Sequence, residues 1–141
     1  MQKFIVLIIL LIVAISSQSF YQNTPLAASI KNGQSVYATY CMSCHMEDGN
    51  GVEGAFPSLV KTNHLNDKNK LVKIILQGMR GQTVVNGITY NGEMAGLNLT
   101  DQEVADVINF IRNSWGNKAT AMKITEVAPA KKSVVKGYQA F

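Results

Sequence analysis

The chain has 141 residues, 13 basic against 9 acidic, and two cysteines. That length provides for one domain with a short extension. A charged fraction of 16% beside 47% hydrophobic residues excludes a disordered polymer, and two cysteines build neither a multi-bridge scaffold nor a four-thiolate zinc site.

Phe4 to Ile15 is an unbroken apolar run behind the single charge of Lys3. It is too short for the ~20 residues that cross a bilayer and has the length of a signal-peptide core. Ser17 and Ser19 suit a cut before Phe20, with a cut after Ser16 as the alternative. Residues 1–19 are therefore expected to be a cleaved signal peptide or, failing cleavage, an N-terminal anchor. The rest is expected to be exported, most simply to a periplasm. Without Lys3 the balance is 12 basic to 9 acidic. No segment interleaves the basic residues with aromatics, so no nucleic-acid partner is expected.

Residues 20–29 read as a linker broken by Pro25. From Ile30 a helical face begins, with Ile30, Gly33, Tyr37 and Tyr40 three or four apart. Gly49, Gly51, Gly54 and Pro57 mark residues 46–64 as an extended loop. Asp67 is placed to cap a second helix carrying Leu71, Ile74 and Ile75, stopped by Gly78. Val84 to Tyr90 reads as a short hairpin turning at Asn86-Gly87. Thr100-Asp-Gln-Glu103 is a capping box opening the strongest helix, with Val104, Val107, Ile108, Ile111 and Trp115 as its stripe and Gly116 as its end. Residues 117–141, with five lysines around Pro129, read as a mobile basic tail. Three short apolar stripes joined by long loops leave the centre unfilled.

Both cysteines fall in one pentapeptide, Cys41-Met42-Ser43-Cys44-His45. This is the C-x-x-C-H pattern of c-type haem attachment. Three residues apart on a helical turn, two thiols face the same side and reach two haem vinyl groups, and the next imidazole faces the iron. A redox C-x-x-C needs a preceding strand, which is missing. A zinc site would need His64, 19 residues further along a glycine-rich loop. A plain disulfide leaves His45 and the thin core unexplained.

With that motif, residues 30–116 resemble the class I cytochrome c family. Gly33-x-x-x-Tyr37 is similar to its N-terminal helix, whose glycine lets the C-terminal helix cross closely. Phe110 and Trp115 are similar to the aromatic partners on that second helix. Gly49-Asn-Gly51 and Phe56-Pro57-Ser-Leu59 resemble the loop after the haem motif, and Tyr90-Asn-Gly-Glu-Met94 the methionine loop. The resemblance implies an all-α, cytochrome c-like fold: three main helices around one covalently attached haem c, with a short hairpin near the methionine loop. It implies His45 and Met94 as axial ligands of the iron, with Met79, His64 or an open position as alternatives. It also implies that Pro57 offers its carbonyl to the free ring nitrogen of His45. Ala95 stands where the family often has proline after the methionine. Arg80 and Tyr90 are weighed as haem-propionate partners, but a surface charge and a packing tyrosine are the simpler roles. His64 reads as solvent-facing.

The expected function is single-electron transfer with a redox partner protein (a dehydrogenase, reductase or oxidase). Membrane contact is expected only through an uncleaved N-terminus. A haem enzyme or gas sensor with a labile sixth ligand is the alternative, followed by a haem-free thiol–disulfide oxidoreductase.

Overall fold

The computed structural model describes residues 25–140; the expected signal segment and residues 20–24 lie outside them. Helix α1 spans Pro25–Tyr40. It begins inside the expected linker, because proline at the first helical position lacks only an N–H that the first turn leaves unpaired anyway. After Cys41 the backbone turns once more as α2, Met42–His45.

A loop then leads through a 3-10 turn, Asn63–Leu65, to α3, Lys68–Gln77. Asp67 caps α3 by accepting from the Lys70 N–H, and Gly78 ends it at φ +69°. Both were legible in advance.

Strands β1, Met79–Val85, and β2, Ile88–Met94, pair antiparallel. Asn86 and Gly87 both have positive φ (51° and 84°), as a two-residue primed turn requires. The hairpin is longer than Val84–Tyr90 because Gly81 and Gly92, opposite one another, interrupt the apolar alternation that would have revealed it.

Helix α4, Asp101–Ile111, opens on the capping box: the Glu103 N–H donates to the Thr100 hydroxyl, and the Thr100 N–H to the Glu103 carboxylate (3.3 and 2.8 Å). It stops four residues before Trp115. Asn117 Nδ2 donates to the carbonyls of Ile111 and Leu59 (2.8 Å each), drawing the chain out of the helix. Trp115 then sits at φ +52°, off the stripe it was assigned to.

The segment read as a mobile tail is largely packed. Helix α5, Ile124–Lys132, lies on α3 and α4 with Val127 and Ala130 buried. Its apolar face is too short to register as a stripe, and polar contacts anchor the rest. Lys68 pairs with Glu126 and Lys131 with Asp101, and Lys73 donates to the Lys131 carbonyl (2.9 Å). Beyond it the Tyr138 hydroxyl donates to the Gly78 carbonyl (2.7 Å).

The core centres on the crossing of α1 and α4. Val104, Val107 and Ile108 are buried there with Val72 from α3 and Val127 from α5. The crossing also holds polar groups that are all paired: Ser29 bonds Asp106, and Asn109 bonds both the Ser29 hydroxyl and the Met122 backbone. Tyr37, Phe110 and Trp115 form a three-ring cluster with centroids 5.2–5.3 Å apart.

Candidate functional site

The helical backbone carries through the cysteine pentapeptide. The Cys41 N–H bonds the Tyr37 carbonyl, and the N–H groups of Cys44 and His45 both bond the Cys41 carbonyl (2.9, 3.1 and 2.9 Å). One turn therefore sets Cys41, Cys44 and His45 on the wall of a single cleft of about 320 Å³. Neither cysteine is bridged. Burial, then the neighbouring Cys44, pushes the Cys41 thiol up to about 11.

His45 Nδ1 lies 2.9 Å from the Pro57 carbonyl oxygen. A carbonyl only accepts, so Nδ1 carries the proton and Nε2 keeps the free lone pair. Burial lowers the His45 pKa, partly offset by that bond, and keeps the ring neutral as a metal ligand must be. The loop is built to hold this carbonyl. The Gly51 N–H bonds the His45 carbonyl (3.0 Å), Val52 and Phe56 exchange two backbone bonds, and the Leu59 N–H bonds the Gly49 carbonyl (2.8 Å). Trp115 Nε1 and the Tyr37 hydroxyl secure the start of the loop at the carbonyls of Glu47 and Met46.

The remaining walls are mostly apolar. Leu71, Ile74 and Ile75 come from α3, Val107 and Ile111 from α4, and Phe56 and Leu59 from the loop. The hairpin contributes Met79, Gly81, Thr83 and Val85 from β1, and Tyr90, Gly92 and Met94 from β2. Their pairing is in register: Met79 opposite Met94, Gly81 opposite Gly92, Thr83 opposite Tyr90. The paired glycines leave bare backbone along the middle of this wall.

Met79 and Met94, the two methionines named as candidate ligands, both line the cleft. Met122 is buried in the core and Met42 faces solvent. Met94 ends β2 rather than sitting in a free loop. The chain after it presses on α3, where the Leu97 N–H bonds the Ile75 carbonyl (2.8 Å).

His64 is not solvent-facing as expected. It is half-buried, and its Nε2 donates to the Val84 carbonyl (2.6 Å), tying the 3-10 turn to the hairpin. Among the described residues no group of three His, Cys, Asp or Glu side chains is arranged to hold a metal ion. Arg80 is exposed and Tyr90 buried against the cleft.

These features fit a haem: an apolar slot, two adjacent thiols, a neutral imidazole with its lone pair free, and a thioether-bearing wall. The sequence model described as "Cytochrome c" matches residues 30–115. The chain belongs to the cytochrome c family. It is a class I, monohaem c-type cytochrome, and its cofactor is haem c with iron, covalently attached through the C-x-x-C-H motif. Similar proteins include cytochrome c-552 of Thermus thermophilus, 36% identical over 100 residues, covering 65% of this chain and 66% of that one. The cytochrome c subunit of Gluconobacter oxydans alcohol dehydrogenase (quinone) is 38% identical over 92 residues, 62% of this chain but 19% of the subunit. The gluconate 2-dehydrogenase cytochrome c subunit of Pantoea cypripedii is 38% identical over 95 residues, 64% of this chain and 22% of that one. The chain thus spans about two thirds of the Thermus cytochrome and about a fifth of the dehydrogenase subunits. As a member of this family, the cytochrome serves in electron transfer.

Proposed function

We propose that this cytochrome is an exported single-electron carrier in which His45 Nε2 and the Met94 sulfur would hold the haem iron. Held by these two residues, the haem would supply a one-electron Fe(II)/Fe(III) couple. The protein's part is to orient, exclude water and tune. Pro57 fixes the imidazole plane and raises its basicity through Nδ1. The thioether raises the potential relative to a second nitrogen ligand. The apolar walls keep water from the iron, which favours electron transfer over peroxide or gas chemistry.

The observation that carries the reading is the commitment of His45 Nδ1 to Pro57 on one wall, with a methionine pair in register on another. Met94 is preferred to Met79 because Tyr90-Asn-Gly-Glu-Met94 matches the family's methionine loop. The redox partner is proposed to be a dehydrogenase, as the names of several relatives suggest, and the protein itself is proposed to carry electrons rather than catalyse. Periplasmic export rests on residues 1–19; no described helix is long and apolar enough to cross a membrane.

The test is the oxidised absorption spectrum. The weak red-end band of sulfur-ligated ferric haem is expected in the wild type and in Met79→Ala, and its loss in Met94→Ala. A five-coordinate, high-spin wild type that binds CO rapidly favours the sensor or enzyme reading instead.

A further inference from the structure

A second cavity, of about 220 Å³, is walled by the chain around the 3-10 turn and the chain that leaves α4. Among the described residues three cations line it, Lys61, Arg112 and Lys118, and no Asp or Glu does. Thr62, Asn63 and Asn66 add a hydroxyl and two amides. None of the three cations is in an ion pair; the ion pairs among the described residues are Lys68–Glu126 and Lys131–Asp101. Lys61 and Lys118 are exposed, whereas Arg112 is only 7% exposed.

Uncharged side chains fix these walls. Asn117 Oδ1 accepts from the Lys61 N–H (2.8 Å), and Asn113 Oδ1 from the Ala119 N–H (3.1 Å). The Lys61 stem lies against Gly116, where an added Cβ would stand 3.0 Å from it. Arg112 Nη1 donates to the Thr120 carbonyl (3.1 Å). Arg112 Nε has no partner, and it is the one buried side-chain nitrogen or oxygen so left among the described residues. Glu126 acts on the guanidinium only from a distance, because its own oxygens are taken by the Lys123 N–H (2.7 Å) and the Lys68 ammonium. The Ile111 carbonyl, which would repel an anion, already accepts from Asn117 Nδ2 (2.8 Å). A desolvated, unpaired charged donor is costly. Because Arg112 lines the cavity, an acceptor held there would offset that cost.

We infer that Lys61, Arg112 and Lys118 bind a small phosphate-class oxyanion, either free phosphate or the phosphate group of a small ester. The Nε–Nη2 edge of a guanidinium matches two oxygens of such an anion. Three cations with hydroxyl and amide donors suit a tetrahedral dianion, whose four oxygens use more donors than the two of a carboxylate. Among the described residues no aromatic side chain lines the cavity, so nothing there stacks on a nucleotide base. Thr62 and Leu65, both buried, line this cavity and the haem cleft alike. An anion bound beside them favours ferric over ferrous iron and lowers the reduction potential, and by linkage the ferric protein binds the anion more tightly. The site depends neither on the identity of the second axial ligand nor on the electron-carrier reading.

The test is a titration of isotope-labelled ferrous holoprotein at constant ionic strength, sodium phosphate replacing sodium chloride, read by amide and arginine side-chain resonances. The Arg112 Nε–H resonance should move and saturate, together with the backbone amides of Lys61 and Lys118. A parallel arm uses glycerol phosphate. Binding of both anions assigns the site to phosphate esters as well as the free ion, and binding of inorganic phosphate alone assigns it to the free ion; either result supports the inference. Arg112→Lys keeps the charge and loses the fork, and should weaken phosphate about tenfold or more. Lys61→Gln and Lys118→Gln lie at exposed positions and leave the core intact. Each should weaken binding several-fold, while Lys31→Gln on α1 should not. The wild-type potential should fall as phosphate replaces chloride, and fall less in Lys61→Gln with Lys118→Gln. An Arg112 Nε–H resonance that stays in place or drifts without saturating, or lysine variants that bind like wild type, overturns the inference and leaves the carrier reading intact. A potential that does not follow saturable binding overturns the coupling to the iron.

Discussion

Gly33 and Asp106 meet where α1 crosses α4. A Cβ placed on Gly33 would lie 2.0 Å from the Asp106 carbonyl oxygen and 2.9 Å from the Phe110 Cβ. No side chain fits there, and the obstacle is helix backbone, which cannot swing aside. Gly33→Ala should therefore cost the upper end of the ~1–3 kcal/mol typical of overpacking, or more. Urea unfolding of the holoprotein checks this, with Asn32→Ala, on an exposed position of the same helix, as the near-neutral control.

The Gly51–Pro57 contact should tune the haem potential. A Cβ on Gly51 would lie 2.2 Å from the Phe56 oxygen and 2.8 Å from the Pro57 oxygen. Gly51→Ala should push the Pro57 carbonyl from His45 Nδ1, make the imidazole a poorer donor and disfavour ferric iron. The potential should rise, by about 59 mV for each tenfold change in relative affinity of the two oxidation states. Gly54→Ala is the control. Its φ is +76°, so it is similarly strained, but nothing lies within 4 Å of its Cβ. Voltammetry should show a higher potential in the first variant alone.

The features legible in the sequence were those carried by a few adjacent residues: the thiol spacing, the Thr100–Glu103 box, the Asp67 cap and the Asn86-Gly87 turn. Gly33 and Pro57 were legible only through family resemblance, since their partners lie 73 and 12 residues away. What stayed hidden depends on distant groups. Trp115 leaves the helix because Asn117 reaches back to Ile111 and Leu59. His64 faces inward because Val84 offers a carbonyl. Helix α5 holds because α3 and α4 supply its ion-pair partners, and its own two buried positions form no stripe. The inward hairpin face was hidden by glycine, which leaves no hydrophobic mark.

Acid should loosen α5. The Lys123 backbone N–H, and next the Lys68 ammonium, hold the Glu126 carboxyl below its usual 4.5. A depressed carboxyl contributes its full stabilisation above the unfolded value and loses it as pH falls through the lower folded value. Hydrogen exchange at Val127 and Ala130 should accelerate as the pH drops below about 4.5, after correction for intrinsic exchange. Glu126→Gln should abolish most of this pH dependence. Because Glu126 is well exposed, the effect should be local rather than a global unfolding.

Without haem the fold should not persist. Without it the apolar side chains of Leu71, Ile74, Ile75, Val107 and Ile111 along a cleft of about 320 Å³ face water, and a small domain buries too little other surface to offset that. Cys41→Ala with Cys44→Ala, exported in a host competent for haem attachment, should yield little soluble helical protein. Circular dichroism at normal helicity in that variant would contradict the cleft's role as the missing core.

X-ray absorption at the iron edge of the oxidised holoprotein tests the axial pair most directly. The expected first shell is five nitrogens, one of them from His45, and a single sulfur that disappears in Met94→Ala and stays in Met79→Ala. An all-nitrogen shell, a shell of five atoms, or a sulfur that survives removal of Met94 would contradict the ligation on which the electron-carrier account stands.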